Sequence, residues 1–267
     1  MKVKQKMIQF FWKLIKSSLR VFGKRNKYLI LAWLSENNKP FIEKVIDKEI
    51  LKYYCPSTLS LSRSKDFIET EPETIEWLNQ INRGDYLLEI GSNIGNYSIY
   101  AAKIRKCNVI AIEPYYRNFS TLVDNILLNN EGEKIKAFCI GAGNITNLEY
   151  FNLESTGEGA AGKNLFGAKD KTGTKISVPI YRMDYFFEKY HLKLPNFIKI
   201  DVDGYEKNVI DGMQKMLSAS ELISVIIEIY TGDEKHYNYI LNEFSSRGFK
   251  LAFTGEGWHA NHIFIKN

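Results

Sequence analysis

The chain has 267 residues, 45% hydrophobic and 25% charged, a balance that predicts one globular α/β domain with an attachment and argues against a disordered chain. Its net charge of +5 hides an asymmetry, because residues 1–35 carry nine basic residues and no acid, leaving 27 basic and 31 acidic residues elsewhere. The body of the chain therefore lacks the basic surface of a nucleic-acid-binding protein, and we expect no nucleic acid as partner.

Three cysteines, Cys55, Cys107 and Cys139, form an odd set without the spacing of a zinc site, which favours a reducing, cytoplasmic compartment. The longest apolar run, residues 28–34, is much shorter than the roughly 20 residues that cross a bilayer. Basic residues interrupt the only candidate for a secretory leader, residues 8–22. We therefore expect neither a disulfide framework nor a transmembrane segment.

The N-terminal residues predict a basic amphipathic helix within a helical extension that we assign to residues 1–60. Lysines fall between apolar residues that recur at helical spacing, namely Ile8, Phe11, Trp12, Ile15, Leu19 and Phe22. Such a helix can lie on an anionic membrane, which would place the protein at the inner membrane surface through residues 1–35. Alternatively, the apolar stripe packs on the following domain or on a second subunit, and the oligomeric state stays open.

Beyond residue 60, apolar runs of helix and strand type alternate, and residues 61–267 are predicted to form one domain. The first predicted elements are a helix Glu73–Asn79, a strand Tyr86–Ile90, a helix Asn96–Lys103, a strand Asn108–Ile112, a helix Phe119–Leu128 and a strand Lys134–Ile140. Then follow strands Leu148–Asn152, Lys175–Tyr181 and Phe197–Asp201, a helix Gly204–Met216, a strand Leu222–Ile229, and strands Lys250–Thr254 and His262–Lys266.

This alternation predicts a doubly wound, mostly parallel, Rossmann-like α/β sheet, because strands that alternate with helices form right-handed βαβ units. The last two strands are joined by a glycine-bearing loop and are predicted to form a C-terminal antiparallel hairpin. Such a hairpin adds an antiparallel strand, which NAD-dependent Rossmann domains usually lack. The glycine-bearing segment 154–173 is predicted to be a mobile loop.

The turn Glu89–Gly95, with the sequence EIGSNIG, follows the first strand of this sheet, at the edge where such sheets bind ligands. Gly91 and Gly95 would let the backbone approach a ligand closely, because a Cβ atom would prevent that approach. Their spacing is neither the GxGxxG of a dinucleotide site nor that of a phosphate-binding P-loop. Glu89 would repel phosphate and would suit a cationic amino group. On its own, the glycine pair is equally compatible with a tight structural turn.

Two later strands also end in acidic residues. Glu113 follows the strand Asn108–Ile112, where a carboxylate can accept hydrogen bonds from two ribose hydroxyls; a solvated loop acid is the alternative. Asp201, Asp203 and Glu206 come after a strand that a doubly wound sheet places beside the first. Close carboxylates can act as a general base or hold a divalent cation, although Asp203 and Glu206 would also suit the first turn of a helix.

These motifs resemble, in order and spacing, those of the FkbM family of S-adenosylmethionine-dependent methyltransferases. The likeness covers roughly residues 60–230 and includes EPET at 71–74, EIGSNIG at 89–95, IEP at 112–114 followed by Asn118, and KIDVDGYE at 199–206. It implies a seven-stranded class I methyltransferase sheet and, most often in the family, methylation of a hydroxyl on a sugar or natural product. Glu89 and Ser92 depart mildly from the Asp and Ala that are common there.

The resemblance also implies roles for individual residues. It assigns binding of S-adenosylmethionine to Glu89, Gly91, Ser92, Asn93, Gly95, Glu113 and Pro114, and the reacting face to Asp201, Asp203 and Glu206. We predict Asp201 or Asp203 as the base, or as ligand of an assisting divalent cation, and Glu206 as the residue that holds an acceptor hydroxyl. His259 and His262 are alternative bases.

The acceptor is expected to be a small molecule or a glycan. The glycine-bearing stretch 157–167 either covers the acceptor site or is a surface insertion. Two other functions compete with methyl transfer: an NAD-dependent oxidoreductase, which the glycine spacing disfavours, and a catalytically silent scaffold that binds a membrane or a partner.

Overall fold

The computed structural model describes residues 2–153, 158–159, 165–166 and 174–267. It consists of two units, Met1–Pro40 and Phe41–Asn267. The loop predicted at 154–173 lies outside the described residues, except for the short pieces at 158–159 and 165–166.

The first unit is helical, as the spacing of its apolar residues predicts. It contains α1 (Lys2–Ser18), a short 3-10 helix (Leu19–Phe22) and α2 (Gly23–Asn37). None of the helices in the part of the chain that the structure describes is long and apolar enough to span a membrane. The large apolar side chains described on α1 are exposed: Met7, Ile8, Phe10, Phe11, Trp12, Leu14 and Ile15.

The second unit contains eight helices in its described residues. They are α3 (Thr58–Thr70), α4 (Pro72–Leu78), α5 (Asn96–Lys103), α6 (Tyr116–Asn129), α7 (Met183–Lys189), α8 (Glu206–Asp211), α9 (Gln214–Ser218) and α10 (Glu234–Ser245).

Its strands form three sheets. The first seven strands are β1 (Phe41–Ile46), β2 (Glu49–Tyr54), β3 (Tyr86–Ile90), β4 (Asn108–Ile112), β5 (Ile135–Phe138), β6 (Gly141–Ala142) and β7 (Asn147–Leu153). The others are β8 (Leu165–Phe166), β9 (Thr174–Tyr181), β10 (Phe197–Ile200), β11 (Ser224–Tyr230), β12 (Phe249–Thr254) and β13 (His259–Lys266).

The main sheet has seven strands in the order β12-β13-β11-β10-β3-β4-β5. The five strands from β11 to β5 pair in parallel, whereas β13 pairs antiparallel with both β11 and β12. The predicted seven-stranded, mostly parallel sheet with a C-terminal hairpin is confirmed. As expected, β10 lies directly beside β3, so the loops after these two strands meet at one edge.

Two apolar clusters cover the two faces of this sheet. Neighbouring residues of a strand point to opposite faces, so Leu87 belongs to one cluster and Leu88 to the other. Leu87 packs with residues of α4, α5 and α6, and Leu88 with residues of α7 to α10. Because both faces are covered, the strands have nearly continuous apolar sequences, as in FIKI of β10.

The β1-β2 hairpin belongs to the second unit, although the predicted boundary at residue 60 places it in the N-terminal extension. Leu51 and Tyr53 are fully buried in the cluster that contains Leu87. The amides of α6 hold the hairpin, since Asn129 Oδ1 accepts from Lys52 N at 2.9 Å and Asn125 Oδ1 accepts from Tyr54 N. This packing explains why the second unit begins at Phe41.

The strands predicted at 148–152 and 175–181 are present as β7 and β9, and they form a separate four-stranded sheet with β6 and β8, in the order β6-β9-β7-β8. One local prediction differs from the structure for a reason of packing. The single helix predicted over 204–216 is two helices, α8 and α9, which Gly212 and Met213 separate. A Cβ atom at Gly212 would lie 1.9 Å from Gly143 O, so another part of the backbone passes the helix break closely.

Candidate functional site

A cavity of about 390 Å³ opens where the loops after β3, β4 and β10 meet, and its volume suits a small-molecule ligand. Because β10 and β4 flank β3 on opposite sides, the chain reverses its direction of winding there, and such switch points bind ligands in α/β sheets. Six of the seven residues that the sequence assigns to the cofactor line this cavity, and the seventh, Gly95, does not. Asp201 and Asp203 line it as well.

The glycines of the turn at 89–95 are required by contacts within the protein. Gly91 and Gly95 have φ values of +85° and +84°, which disfavour residues with a Cβ atom. An added Cβ at Gly91 would lie 1.8 Å from Asp201 O, and one at Gly95 would lie 2.3 Å from Leu122 Cδ1. Contacts with the loop after β10 and with α6 therefore explain both glycines, and their role in admitting a ligand stays a prediction.

Glu89 is almost fully buried and lines the cavity from β3. The Ser98 hydroxyl of α5 donates a hydrogen bond to Glu89 Oε2, and the Ser92 hydroxyl donates to the Glu89 carbonyl at 3.0 Å. Burial raises the pKa of Glu89 to about 7, against the opposing effect of the Lys199 ammonium. A ligand with a positive charge would favour the ionised form of this carboxyl group.

Glu113 and Pro114 follow β4, and both line the cavity. The two oxygens of the Glu113 carboxylate accept hydrogen bonds from Asn93 N at 2.8 Å and Tyr115 N at 2.9 Å. Burial nevertheless raises the pKa of Glu113 to about 7. The hydrogen bonds fix the orientation of the carboxylate and tie the loop after β4 to the loop after β3.

A cluster of three acids lies on the other side of the cavity. One carboxylate oxygen each of Asp201, Asp203 and Glu228 lies within 4.8 Å of the others. Burial, and then the charge of Asp201, raises the pKa of Glu228 to about 8. The raised pKa favours the protonated form of Glu228, because two other carboxylates lie close to it.

Lys199 lies beneath this cluster on β10. Its ammonium group is 2.9 Å from Asp201 Oδ2 and 4.9 Å from the centre of the Tyr97 ring, and its side chain is 2% exposed. Burial lowers the pKa of Lys199, but the carboxylates of Asp201, Glu71 and Glu89 outweigh this effect and raise it above the usual value. The ammonium therefore stays charged and orients Asp201.

The third predicted catalytic acid, Glu206, lies apart from Asp201 and Asp203 and does not line the cavity. It is buried at the start of α8 and accepts hydrogen bonds from Gly204 N at 2.7 Å and from His236 Nε2 at 3.0 Å. The hydrogen bond from His236 explains why the pKa of that imidazole is raised. Glu206 thus supports the turn that carries Asp203, which has a φ of +50°.

The two histidines predicted as alternative bases differ in exposure. The His259 side chain is 55% exposed, and its Nδ1 lies 3.9 Å from Glu228 Oε2. His262 is fully buried outside the cavity lining, and burial lowers the pKa of its imidazole. The structure thus brings His259, but not His262, to the acid cluster.

Sequence reasoning missed several residues of the cavity. They include Glu228, Lys199, Glu71 and Arg63. A single charged residue within an apolar strand is a signal that could have found two of them, since Lys199 lies in FIKI and Glu228 in SVIIEIY. Among the residues that the structure describes, two basic residues, Arg63 and Lys199, line the cavity with seven acids: Asp66, Glu71, Glu89, Glu113, Asp201, Asp203 and Glu228.

The chain is similar in sequence to known methyltransferases. It is 29% identical over 171 residues to the hexuronic acid methyltransferase AglP of Haloferax volcanii, which covers 62% of this chain and 65% of that protein. It is 25% identical over 194 residues to methyltransferase 1 of Beauveria bassiana, covering 65% of this chain and 75% of that one.

The structure is similar to that of methyltransferase FkbM from Methylobacillus flagellatus, with a TM-score of 0.51 and 16% sequence identity. The similarity covers 78% of this chain and 55% of that one, and it shows the class I methyltransferase fold. The matches thus span less than two thirds of AglP and of this solved structure. Residues 89–251, more than half of the chain, match the methyltransferase FkbM domain, and the chain belongs to this family.

Proposed function

We propose that this protein transfers a methyl group from S-adenosylmethionine to a hydroxyl group of a sugar or related molecule. The observation that carries the proposal is the acidic lining of the cavity, to which the described residues contribute seven acids and two basic side chains. S-adenosylmethionine carries a sulfonium and an ammonium cation, whereas the pyrophosphate of NAD is anionic. An acid-lined cavity favours the former ligand.

The residues around the turn at 89–95 fit this cofactor. Glu89 would face its ammonium group, and Glu113 would accept hydrogen bonds from its ribose hydroxyls. Gly91, Ser92 and Asn93 form the wall between these two carboxylates, and Gly95 fixes the turn against α6. Bound S-adenosylmethionine would supply a methyl group on a positively charged sulfur.

The acid cluster would handle the proton of the acceptor hydroxyl. Asp201 or Asp203 would accept this proton, with Lys199 holding Asp201 in place. The carboxyl group of Glu228 would keep a proton within the cluster at neutral pH. The same three oxygens could instead hold a divalent cation, but Lys199 already places a positive charge beside Asp201. We therefore favour proton acceptance over metal binding.

We propose a hexuronic acid, free or within a glycan, as the acceptor, with its carboxylate turned towards Arg63 and away from the acids that line the cavity. The support is the 29% identity to a hexuronic acid methyltransferase. Glu206 was predicted to hold the acceptor hydroxyl, but its hydrogen bonds to Gly204 and His236 favour a positioning role. His259 remains an alternative base through its proximity to Glu228.

Calorimetry tests the cofactor and separates the three functions considered for this chain. We expect S-adenosylhomocysteine to bind and NAD not to bind. Binding of NAD alone would support an oxidoreductase, and binding of neither would support a silent scaffold. Adding Mg²⁺ tests whether the acid cluster binds a divalent cation. Tighter binding of S-adenosylhomocysteine or faster turnover with the metal would overturn our preference for proton acceptance.

We also propose that α1 binds anionic membrane surfaces. At about 3.6 residues per turn, Lys6, Lys13 and Lys16 lie opposite Phe11 and Ile15. The lysines complement anionic lipid headgroups, and the exposed apolar side chains can enter the boundary of the acyl chains. A helix with these two faces would lie in the membrane plane without crossing the bilayer.

Sedimentation with lipid vesicles tests this second proposal. We expect the full chain to sediment with vesicles that contain phosphatidylserine and not with neutral ones. Changing Lys6, Lys13 and Lys16 to Gln should abolish sedimentation. The same change at three exposed lysines of the second unit, Lys48, Lys136 and Lys250, is the control. Equal sedimentation of both variants would contradict the proposal, and a dimer without vesicle binding would support packing between subunits.

A further inference from the structure

Three aromatic rings lie together at the surface where β11 ends and β13 begins. The rings of Tyr230 and Trp258 are stacked, with centroids 6.2 Å apart and planes at 29°. The His259 ring lies 5.0 Å from that of Tyr230. Trp258 is 69% exposed and Tyr230 39% exposed, so both rings offer apolar surface to a ligand. We call these three residues the aromatic platform.

The backbone holds the aromatic platform in place. Thr231 N donates to Trp258 O at 2.8 Å, and the Thr231 hydroxyl donates to Gly257 O at 3.1 Å. A Cβ atom at Gly232 would lie 2.4 Å from the Tyr230 ring, so that ring lies against the glycine backbone. A surface whose rings are already fixed loses little conformational freedom when a ligand binds.

The aromatic platform continues from the acid cluster. Tyr230 follows Glu228 by two residues on β11, so both side chains lie on the same face of the sheet. His259 pairs with Tyr230 across the two strands, and its Nδ1 lies 3.9 Å from Glu228 Oε2. Glu228 lines the cavity, so the surface runs from the acid cluster over His259 to the exposed Trp258.

We propose that this aromatic platform binds a second sugar ring of a glycan acceptor, next to the sugar whose hydroxyl reacts in the cavity. A pyranose ring has an apolar face of C–H groups and an edge of hydroxyl groups. The face can pack on Trp258 and Tyr230, while His259 and Glu228 offer hydrogen-bond partners to the edge. This inference rests on the proposed function and extends it from a single sugar to an oligosaccharide.

Binding measurements with two matched probes test the aromatic platform. The probes are a hexuronic acid methyl glycoside and the corresponding disaccharide, titrated by calorimetry into the full chain saturated with S-adenosylhomocysteine. We expect the disaccharide to bind about tenfold more tightly than the monosaccharide. Trp258→Ala should abolish that advantage and leave the affinity for the monosaccharide unchanged. Trp258→Phe, which keeps a ring, should retain most of it.

The control is Trp33→Ala, which removes a tryptophan of similar exposure, 60%, from the first unit. It should leave both affinities unchanged. An equal disaccharide advantage in the wild type and in Trp258→Ala would overturn the inference, and so would the absence of any advantage in the wild type. Failure of the wild type to bind S-adenosylhomocysteine would instead contradict the proposed function.

Discussion

The two sides of the cavity hold their carboxylates in different ways. On the side of the turn at 89–95, Glu89 and Glu113 are 1% and 5% exposed, and fixed hydroxyl or backbone donors hold them. On the other side, the side chains of Asp201 and Glu228 are 31% and 26% exposed. Buried carboxylates that are held by fixed donors suit a cofactor, because the same molecule binds there in every turnover. Partly exposed, clustered groups suit an acceptor and the exchange of a proton.

The largest expected effect tests how closely the turn at 89–95 packs against the loop after β10. Gly91→Ala should destabilise the protein by more than about 4 kcal/mol, because the new Cβ atom would overlap with Asp201 O. Gly84→Ala is the matched control, since Gly84 also has a positive φ, +87°, but open space around it. It should cost about 1–2 kcal/mol.

Urea denaturation measures both free energies of unfolding, and soluble yield replaces it if Gly91→Ala does not fold. Equal destabilisation by the two substitutions would show that only the backbone conformation matters. The turn at 89–95 would then not depend on the close approach of β10.

The second prediction concerns the acid cluster. Asp201→Asn should lower kcat roughly 10²–10⁴-fold, because the amide cannot accept the proton, while S-adenosylhomocysteine still binds. Steady-state kinetics and calorimetry measure the two quantities. Asp211→Asn, at an acid that pairs with Lys207 outside the cavity, should change kcat little. Undiminished turnover of Asp201→Asn would exclude Asp201 both as base and as cation ligand.

The third prediction concerns cofactor affinity. Glu113→Gln should raise the Kd for S-adenosylhomocysteine roughly 10–100-fold, because the new NH₂ group would face a backbone N–H of Asn93 or Tyr115. Glu131→Gln changes another buried acid, one that pairs with Lys134, and should leave this Kd unchanged. If Glu113→Gln binds as tightly as the wild type, Glu113 does not hold the ribose.

The fourth prediction uses the raised pKa of Glu228. Between about pH 4.5 and 8 the folded protein keeps the proton of this carboxyl group, whereas the unfolded chain releases it. The contribution to folding stability is therefore present below this window and is lost as the pH rises through it. In the wild type, this proton makes the free energy of unfolding fall by up to about 1.4 kcal/mol for each pH unit within the window. Glu228→Gln should remove this part of the fall.

Urea denaturation at several pH values across this window measures the slope for the wild type and for Glu228→Gln. Glu221→Gln, which changes an acid outside the cavity, is the control and should keep the wild-type slope. An unchanged slope in Glu228→Gln would mean that this carboxyl group is already ionised in the folded protein. The acid cluster would then not hold a proton at neutral pH.

The main sheet could be predicted because its signals are local. Short apolar runs that end in glycine or acidic residues predict the strands. The predicted ends lie within a residue or two of the observed ends of β3, β4 and β10. The helix α3 is absent from the predicted elements because residues 56–64 are rich in serine, which usually indicates a turn or a loop. In the structure, Ser57 and Ser60 form a capping box that begins this helix, which carries Arg63 to the cavity.

The cavity residues around the turn at 89–95 and after β4 could be predicted more completely than the acid cluster. These residues lie in two short turns directly after strands, where position alone indicates a site. In the acid cluster, Asp201 and Asp203 lie in the loop after β10, whereas Glu228 lies within β11. Only the tertiary structure shows that these three residues are close together. The helix break at Gly212 likewise depends on a contact with Gly143, far away in sequence.

A methyl-transfer assay tests the central claim most directly. The full chain is incubated with S-adenosylmethionine that carries an isotopically labelled methyl group and with a panel of hexuronic acid glycosides, and mass spectrometry follows the label. We predict that the wild type places the label on a hydroxyl oxygen of the sugar, and that Asp201→Asn does so far more slowly. Binding of S-adenosylhomocysteine without any labelled sugar would contradict the account, and transfer by Asp201→Asn at the wild-type rate would exclude Asp201 as the base.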